Sequence, residues 1–404
     1  MAIFIDPPTW PGHGRLWSHM ISDTAYAELH DFAAAVGIPP RAFERDHYDV
    51  IADRYESVVA AGARPASSRE IVTMLHAAGL RRRHRSVLAP PLGRTWPRAL
   101  VPGDLVAVVA PSGPVRPDRR HRLDHGIALL ESWGLRVRLQ PRVLTAYEPL
   151  DYLAADDHGR AADLTDAWTD PDVAAVWAAR GGYGAQRMVD LINWAALRAA
   201  GRKTFVGFSD ITALHGRLGR DLDQVTVHGP VLGSLEQLDD EASIAAVRAL
   251  VMGPRPTSGA VVAEGVSAVA GVAQGRLVGG NLSLIAADVG VEPPPEVSAI
   301  AVFEDTGEDG YRIDRMLTQL VRSRWFDQVT GVVVGEFSPV DGASPQSSGL
   351  AATVIAERLA GLRIPVITDV PVGHGPRNLA LPLGAAVTLS APSPSGSPAT
   401  LALA

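Results

Sequence analysis

Ser209 lies where a short apolar run, Lys203 to Phe208, gives way to a helical pattern at about Asp210. An abrupt strand-to-helix turn exposes a serine hydroxyl at the carboxyl edge of a sheet, and it puts the next N–H at a helix start, where it can stabilise an oxyanion. The second glycine of a Gly-x-Ser-x-Gly motif is absent, because Ile211 occupies its place. Serine at a helix start more commonly caps the helix, and this segment alone favours that structural role.

A serine nucleophile needs a base, and His374 is the one histidine that follows His228 in the chain. It comes after a predicted strand, between Gly373 and Gly375, which give the ring room and let the backbone pass close by. A lone histidine in a loop is more often simply solvated. His215 is a rival base, but six residues after Ser209 on the same predicted helix it is expected to point away from the serine.

The carboxylate that would orient the base is either Glu304 or Asp305, directly after the predicted strand Ile300 to Phe303. Catalytic groups of α/β folds collect at this edge of the sheet, although carboxylates there are structural at least as often. Arg180 to Gly184 also follows a strand, and its bare backbone could donate a second N–H to an oxyanion. It lacks the spacing of either nucleotide-binding fingerprint.

Composition excludes several chemistries. The chain has no cysteine, so disulfides, thiolate nucleophiles and cysteine-bound zinc are ruled out together. A Ser-x-x-Lys mechanism is impossible at Ser209, because the one lysine, Lys203, precedes the serine, and no His-Glu-x-x-His motif is present. The formal charge of -7 argues against a general nucleic-acid binder. We therefore expect metal-free acyl transfer with no cofactor.

Short β-rich apolar runs alternate with helical patterns from Asp104 onward, which predicts a mainly parallel sheet with crossover helices. A helix is predicted from Tyr311 to about Phe326. A polar region with proline and glycine near Gly253 to Ser258 separates two series, giving domains at residues 99–255 and 256–404. The predicted strands are Leu105 to Ala110, Val173 to Ala178, Lys203 to Phe208, Ile300 to Phe303, Gly331 to Val334 and Pro365 to Thr368.

The first 80 residues are predicted to form a separate small α/β module. One helix of the module is indicated by Ser67 three residues before Glu70, the spacing of a capping box. Residues 81–98, rich in arginine and proline, are predicted to be a linker. The start of the chain lacks the basic and apolar segments of a signal peptide, and the apolar runs are too short to span a bilayer, so we expect a cytoplasmic protein that binds no membrane.

A series of motifs from about Arg98 to the carboxyl terminus resembles the LD-carboxypeptidase family, also called muramoyltetrapeptide carboxypeptidases, which includes the microcin-immunity peptidases. Phe208 stands where many members have tyrosine. The motifs are Val109-Ala110-Pro111-Ser112-Gly113, Arg180 to Gly184, Gly207 to Thr212, His228-Gly229-Pro230, Gly279-Gly280-Asn281-Leu282, Phe303-Glu304-Asp305, Tyr311-Arg312-Ile313-Asp314 and Gly373-His374-Gly375.

The resemblance implies an α/β fold in which the small module precedes a two-domain peptidase, with a site between the two domains and commonly a homodimer. It places the family's serine, glutamate and histidine on Ser209, Glu304 and His374, with the amides of Asp210 and Gly182 holding the oxyanion. Candidate clamps for the substrate carboxylate are Arg180, Arg312 and Arg377.

The family's main reaction removes the terminal D-alanine of a murein tetrapeptide. Hydrolysis of an aminoacyl or peptidyl nucleotide is the alternative, and an adenine would favour an aromatic surface for stacking. Glu304 to Asp309 contains no aromatic residue, and Trp325 and Phe326 lie at the far end of a predicted helix. We therefore expect a murein peptide as substrate.

The first 85 or so residues resemble a different, uncharacterised bacterial domain family. Its histidines and aspartates could bind a metal or a phosphate, although structural hydrogen bonding is the more common use. A non-catalytic binding protein, with its function in this module, is a further alternative. The candidate ligands are His13, His19, Asp23, Asp46 and His47. The motifs that carry the resemblance are Asp6-Pro7-Pro8, Trp10-Pro11, His13-Gly14, Trp17-Ser18-His19, Ser22-Asp23 and Arg45-Asp46-His47-Tyr48-Asp49.

Overall fold

A computed structural model of the chain describes residues 2–12, 14–44, 46–78, 80, 93–338 and 345–404. The chain divides into two compact units, Met1–Ser86 and Val87–Ala404. Within the described residues, no helix combines the length and the apolar character that crossing a bilayer requires.

The described residues of the first unit form a mixed sheet and three α-helices. The sheet has the order β4-β5-β3-β1-β6, with β2 paired to β3, and its core includes Ile5, Met20, Leu29 and Tyr48. The predicted capping box is present, because Ser67 N–H donates to Glu70 Oε2 at 2.8 Å. The elements are β1 (Ile3–Ile5), β2 (Trp10–Gly12), β3 (Arg15–Ser22), α1 (Tyr26–Ala35), β4 (Phe43–Glu44), β5 (His47–Ile51), α2 (Tyr55–Ala60), β6 (Arg64–Pro65) and α3 (Ser68–Ala77).

The second unit starts with strands and helices in alternation and continues with a closed sheet. The elements of its first part are β7 (Leu105–Val109), α4 (Arg120–Ser132), β8 (Arg136–Leu139), α5 (Asp157–Thr169), β9 (Val173–Ala178), α6 (Ala185–Met188), α7 (Trp194–Ala200), β10 (Thr204–Gly207), α8 (Thr212–Leu222), β11 (Thr226–His228), α9 (Leu235–Asp239) and α10 (Glu241–Met252). Those of its second part are β12 (Val261–Val269), β13 (Gly271–Asn281), α11 (Leu282–Ala287), β14 (Ala299–Thr306), α12 (Gly310–Arg322), β15 (Val329–Ser338), α13 (Pro345–Ala360), β16 (Val366–Thr368), β17 (Leu381–Leu383), β18 (Ala386–Ala391) and β19 (Pro398–Leu403).

The first sheet of this unit has the order β17-β11-β10-β9-β7-β8, and its strands run parallel except for β17. Helices cover both faces, so the strands read as continuous apolar runs and every residue of β7 is buried. Trp168 and Trp177 are fully buried on either side of the sheet. Each large apolar side chain removed from water in this way contributes about 1.5–3 kcal/mol.

The second sheet closes on itself in the order β12-β16-β15-β14-β13-β18-β19. Residues of β14 alternate between two apolar clusters. Ile300 and Val302 pack inside the closed sheet, and Ala301 and Phe303 pack against α11, α12 and α13 on its outer surface. This alternation decides where the polar residues at the end of β14 point.

The α/β fold class that the sequence predicts is confirmed. The predicted linker at residues 81–98 falls on residues 81–92, which lie outside the described residues, and on residues 93–98, which pack against the second unit. Arg94 N–H donates to Gly384 O at 2.8 Å, and Trp96 contacts two apolar clusters of that unit. Residues from Gly93 onward therefore belong to the second unit by their contacts.

Candidate active site

Ser209 sits in a strained turn between β10 and α8. Its φ is +65°, in the left-handed region that a non-glycine residue occupies at a cost of about 1–3 kcal/mol. Gly207 permits the tight turn, since a Cβ on it would come within 2.7 Å of the Ile211 side chain. The N-cap residue of α8 is Ile211, without a side-chain cap, so Ser209 does not have the capping role that the segment alone favoured.

The Ser209 hydroxyl lies at one end of a short line of hydrogen bonds. His374 Nε2 is 2.9 Å from Ser209 Oγ, and His374 Nδ1 is 2.7 Å from Glu304 Oε2. The three residues are up to 165 positions apart in sequence. The serine comes from the first sheet of the unit, and Glu304 comes from the closed sheet.

The loop that carries His374 is held from both sides. Gln237 Nε2 donates to Gly373 O at 2.9 Å and to Gly375 O at 3.0 Å, and Gly373 N–H donates to Asn378 Oδ1 at 3.0 Å. Gly373 has a φ of +128°, and a Cβ on it would lie 2.9 Å from Glu304 Cβ. The flanking glycine therefore lets the loop approach Glu304 closely enough for the ring to reach it.

Glu304 is completely buried, with His374 on one carboxylate oxygen and His228 near the other. Burial on its own would raise the pKa of Glu304, but the two histidines lower it to about 2. His228 Nε2 is 3.7 Å from Glu304 Oε1, too far for a hydrogen bond, so we assign most of the lowering to His374. Glu304 is thus a carboxylate at neutral pH.

The pKa of His374 shifts in the opposite direction from that of Glu304. Burial lowers the pKa of the imidazole, but the hydrogen bond and charge of Glu304 outweigh burial, and the pKa of His374 is raised above its ordinary value of 6.5. The ring therefore has a higher proton affinity than a solvated histidine. This is the property that a general base beside a hydroxyl requires.

The other carboxylate considered, Asp305, points to the outer side of the closed sheet. It accepts hydrogen bonds from Asn281 Nδ2 at 3.0 Å and from the Ser283 hydroxyl at 2.7 Å, so it ties β14 to the start of α11. The rival base, His215, is fully buried, and its ring bonds to Thr226 Oγ1 and Gly207 O, both at 2.9 Å. Burial lowers the pKa of His215 to about 3, so it stays neutral.

Bare backbone lies next to the Ser209 hydroxyl. A Cβ on Gly181 would come within 2.9 Å of Ser209 Oγ and 3.6 Å of the Asp210 nitrogen, so this missing side chain leaves space for a reacting carbonyl. The Asp210 carboxylate bonds to the Ser112 hydroxyl and accepts Ala185 N–H at 2.8 Å, which ties the serine turn to the glycine-rich loop. Gly182, with a φ of +122°, lines the same cavity as Ser209.

A cavity of about 380 Å³ opens beside Ser209 and His374. Three arginines line it: Arg119, Arg122 and Arg180. Arg180 donates only to two carbonyls, Gly181 O and Pro114 O, and no carboxylate among the described residues pairs with any of the three. The described residues that line the cavity include three arginines and a single carboxylate, Glu236, so the wall carries a net positive charge.

Of the three arginines that the sequence proposed as clamps, only Arg180 is at this cavity. Arg312 lies beside Glu308 and Asp309 on the exposed start of α12, at 3.6 and 4.0 Å. Arg377 donates to both oxygens of Asp240, with contacts of 3.0 to 3.2 Å. The geometry gives Arg312 and Arg377 structural partners and does not bring either to the cavity wall.

Sequence reasoning missed several cavity residues. Arg119 and Arg122 are three positions apart at the start of a helix, a spacing that puts both on one side and was available in the sequence. Gln237 gives no such signal, because its role depends on tertiary contact with the His374 loop. Tyr152 and Tyr183, both exposed with ring centroids 5.8 Å apart, line a neighbouring cavity together with Arg180 and provide an aromatic surface that the residues near Glu304 in sequence do not.

Comparisons with known proteins identify the family of the chain. Residues 106–229 match the LD-carboxypeptidase N-terminal domain and residues 274–389 match the LD-carboxypeptidase C-terminal domain, whereas residues 3–78 match a family described only as a protein of unknown function, DUF4031. A putative carboxypeptidase of Streptomyces coelicolor is 44% identical over 300 residues, covering 73% of this chain and 93% of the relative.

Two further proteins carry more specific names. The murein tetrapeptide carboxypeptidase of Pseudomonas aeruginosa is 31% identical over 295 residues, covering 70% of this chain and 92% of the relative. The crystal structure of a muramoyltetrapeptide carboxypeptidase from Oxalobacter formigenes is 29% identical, with a TM-score of 0.62 over 74% of this chain and 99% of that one. The chain therefore belongs to the LD-carboxypeptidase family, and it is a hydrolase of the carboxypeptidase class.

Proposed function

We propose that the chain is a serine LD-carboxypeptidase that cuts an L,D amide bond and releases the terminal D-alanine of murein tetrapeptide during cell-wall recycling. The observation that carries the proposal is the hydrogen-bonded line from buried Glu304 through His374 to Ser209 at the edge of an open cavity. The murein tetrapeptide carboxypeptidase among the relatives supports the choice of substrate.

In the proposed mechanism, His374 Nε2 takes the proton of the Ser209 hydroxyl as Oγ attacks the scissile carbonyl. The Asp210 and Gly182 N–H groups donate to the oxyanion in the space that Gly181 leaves open. His374 then gives its proton to the departing D-alanine amine, and the C–N bond breaks. Water, deprotonated by the same ring, releases the acyl group and restores Ser209.

Glu304 orients the ring and stabilises the imidazolium during both steps. Because its carboxylate bonds Nδ1, the nitrogen that faces Ser209 is the one free to accept a proton. A charged group this deeply buried is held by its partner and cannot turn away to solvent.

Arg119, Arg122 and Arg180 are proposed to bind the carboxylates of the peptide, beginning with the free carboxylate of the terminal D-alanine, the group that defines a carboxypeptidase substrate. Guanidinium groups pair with carboxylates in a two-point geometry. Glu236, the exposed carboxylate on the same wall, suits a substrate ammonium group. Arg122→Ala should raise KM by roughly tenfold or more, whereas the control Arg312→Ala, away from the cavity, should leave KM unchanged.

A second candidate function, hydrolysis of an aminoacyl or peptidyl nucleotide, is favoured by Tyr152 and Tyr183. Their exposed rings beside Arg180 could stack on a base, so the absence of aromatics near Glu304 no longer counts against this substrate. We keep murein peptide as the proposed substrate, because three arginines line the cavity and because relatives are named as murein peptide carboxypeptidases.

Side-by-side kinetics on murein tetrapeptide and an aminoacyl sulfamoyl adenylate test the choice. The proposal predicts D-alanine release and the larger kcat/KM for the tetrapeptide. A preference of tenfold or more for the adenylate, about 1.4 kcal/mol of transition-state binding, would overturn it.

We also propose that the enzyme acts in the cytoplasm as a homodimer. Released muropeptides reach the cytoplasm during wall recycling, and the family resemblance implies the dimer. Light scattering should return twice the chain mass of 42.7 kDa. A single-chain mass at micromolar concentration would contradict the dimer, and it would leave the proposed chemistry to be judged by the kinetics.

A further inference from the structure

A second group of functional side chains lies on the sheet of the first unit. His19 on β3 pairs in register with Asp49 on β5, so the two side chains share one face, and His47, two positions before Asp49, shares it as well. One ligand atom from each of the three residues lies within 4.8 Å of the others. Neighbouring strands thus bring two imidazoles and a carboxylate together by register alone.

Each imidazole is oriented by its own buried carboxylate. His19 Nδ1 is 3.1 Å from Asp6 Oδ2, and His47 Nδ1 is 2.7 Å from Asp46 Oδ1. Asp6 is itself fixed, because it accepts His19 N–H at 2.6 Å, the Ser68 hydroxyl at 2.6 Å and the Trp10 indole N–H at 3.0 Å. A carboxylate on the far nitrogen of each ring is the arrangement that orients metal-binding histidines and makes them more basic.

With both Nδ1 atoms engaged, the Nε2 atoms face the third residue. His47 Nε2 is 3.2 Å from Asp49 Oδ1, and His19 Nε2 is 4.0 Å from the same oxygen. Ligands of a tetrahedral zinc ion at about 2.0–2.1 Å stand roughly 3.3 Å apart. Of the three pairs of ligand atoms, His47–Asp49 is therefore already at that spacing, and His19–Asp49 reaches it by a side-chain movement of less than 1 Å. The remaining pair, His19–His47, lies within 4.8 Å and has to shorten as the ion binds.

We propose that the first unit binds one divalent transition-metal ion of the zinc class through His19 Nε2, His47 Nε2 and Asp49 Oδ1. Two imidazoles and one carboxylate suit such ions better than Mg²⁺ or Ca²⁺, which take oxygen ligands. The side chains of Asp49 and His19 are 34% and 25% exposed, so the remaining coordination positions face solvent and can hold water or a small ligand.

Asp23 and Asp46, which the sequence grouped with this cluster, do not supply ligand atoms to the site. Asp23 accepts the Ala2 N–H at 2.8 Å and the Thr24 hydroxyl at 2.8 Å, and it does not belong to the three-residue cluster. His13 lies outside the described residues. Asp46 acts through His47 and does not supply a ligand atom to the cluster.

Titration of the full-length, tag-free, chelator-stripped chain with ZnCl₂ in a calorimeter tests the proposal. We expect one zinc ion per chain with a micromolar or lower Kd. His47→Gln and Asp49→Asn should each weaken binding at least roughly tenfold. The exposed His158→Asn serves as the matched control and should bind zinc as the wild type does.

Asp49 is partly exposed, so its variant should remain folded, and circular dichroism on each variant checks this. Cobalt(II) provides a second measurement, because a four- or five-coordinate nitrogen and oxygen site gives visible absorption that His47→Gln should abolish. Absence of zinc binding in the wild type would overturn the proposal. So would binding of the same stoichiometry and affinity in folded Asp49→Asn, because the ion would then be held elsewhere.

Discussion

Replacing Glu304 by glutamine removes one charge from the proposed catalytic line and keeps the side-chain shape. Glu304 is fully buried and its Oε2 lies 2.7 Å from His374 Nδ1, so an amide at this place cannot stabilise the imidazolium that forms during proton transfer. The backbone of β14 and the packing around it should not change. The variant therefore tests electrostatics with little change in structure.

The expected loss follows from the burial of the pair. Breaking a buried charged pair costs about 3–5 kcal/mol. In this site that cost falls on the transition state, where His374 carries its proton, and each 1.36 kcal/mol is tenfold in rate. We expect kcat to fall by roughly two to four orders of magnitude.

The pH dependence of kcat/KM provides an independent test of the role of Glu304. His374 must be deprotonated to act as base, so wild-type kcat/KM should fall as the pH drops through a His374 pKa that lies above 6.5. In Glu304→Gln the partner that raises this pKa most is gone, and only the weaker charges of Asp305 and Glu336 still oppose burial, so the acidic limb should move to lower pH. Glu304 itself, with a pKa of about 2, should add no limb in the working range.

The assay is D-alanine release from murein tetrapeptide between pH 5 and 9. Glu336→Gln is the matched control, because Glu336 raises the pKa of His374 by its charge but has no hydrogen bond to the ring in the structure. The kcat of Glu336→Gln should stay within about tenfold of the wild-type value. A Glu304→Gln enzyme that retained wild-type kcat with an unmoved acidic limb would refute the assigned role of Glu304.

Three further outcomes are expected. Ser209→Gly should be more stable to urea than Ser209→Ala by about 0.5–1 kcal/mol, because glycine adopts the φ of +65° without the Cβ penalty; equal stability would mean that the turn is unstrained. EDTA should leave D-alanine release unchanged even if it strips a metal from the first unit, and zinc-reversible loss of activity would contradict the metal-free mechanism. A chain of residues 87–404 should fold and keep the activity, since it contains every residue of the second unit; an insoluble or inactive product would show that the first unit completes the peptidase.

The parts of the fold that depend on local pattern could be predicted from sequence. The predicted strands at 105–110, 173–178 and 203–208 correspond to β7 (Leu105–Val109), β9 (Val173–Ala178) and β10 (Thr204–Gly207). Continuous apolar runs of this length are typical of strands in a sheet that helices cover on both faces. Closure of the second sheet could not be predicted in this way, because it depends on pairings such as β12 with β19 between residues far apart in sequence.

The choice between Glu304 and Asp305 shows where local reasoning stops. Adjacent residues of a strand point to opposite faces, so only one of the two could meet His374. Which one does so depends on the face that Ile300 and Val302 bury inside the closed sheet. The sequence shows that side chains alternate along β14, but it does not show which face of the strand lies inside the closed sheet.

The search for an aromatic surface failed for a related reason. No aromatic residue lies close to Glu304 in sequence, whereas Tyr152 and Tyr183 come from loops of the first sheet and line a neighbouring cavity that shares Arg180 and Gly182 with the active-site cavity. The two other candidate clamps differ in this respect. The pairing of Arg312 with Glu308 follows from their i,i+4 spacing, whereas Arg377 pairs with Asp240 from 137 positions away, which spacing does not reveal.

The most direct test of the central claim is the rate of D-alanine release by Ser209→Ala and by His374→Ala, measured on folded protein against the wild type. Members of such a triad act as a unit, so each substitution should lower kcat by roughly four to six orders of magnitude, and the double variant should lose little more. A folded Ser209→Ala enzyme that kept even about a tenth of the wild-type turnover, a cost of only ~1.4 kcal/mol, would contradict the assignment of Ser209 as nucleophile.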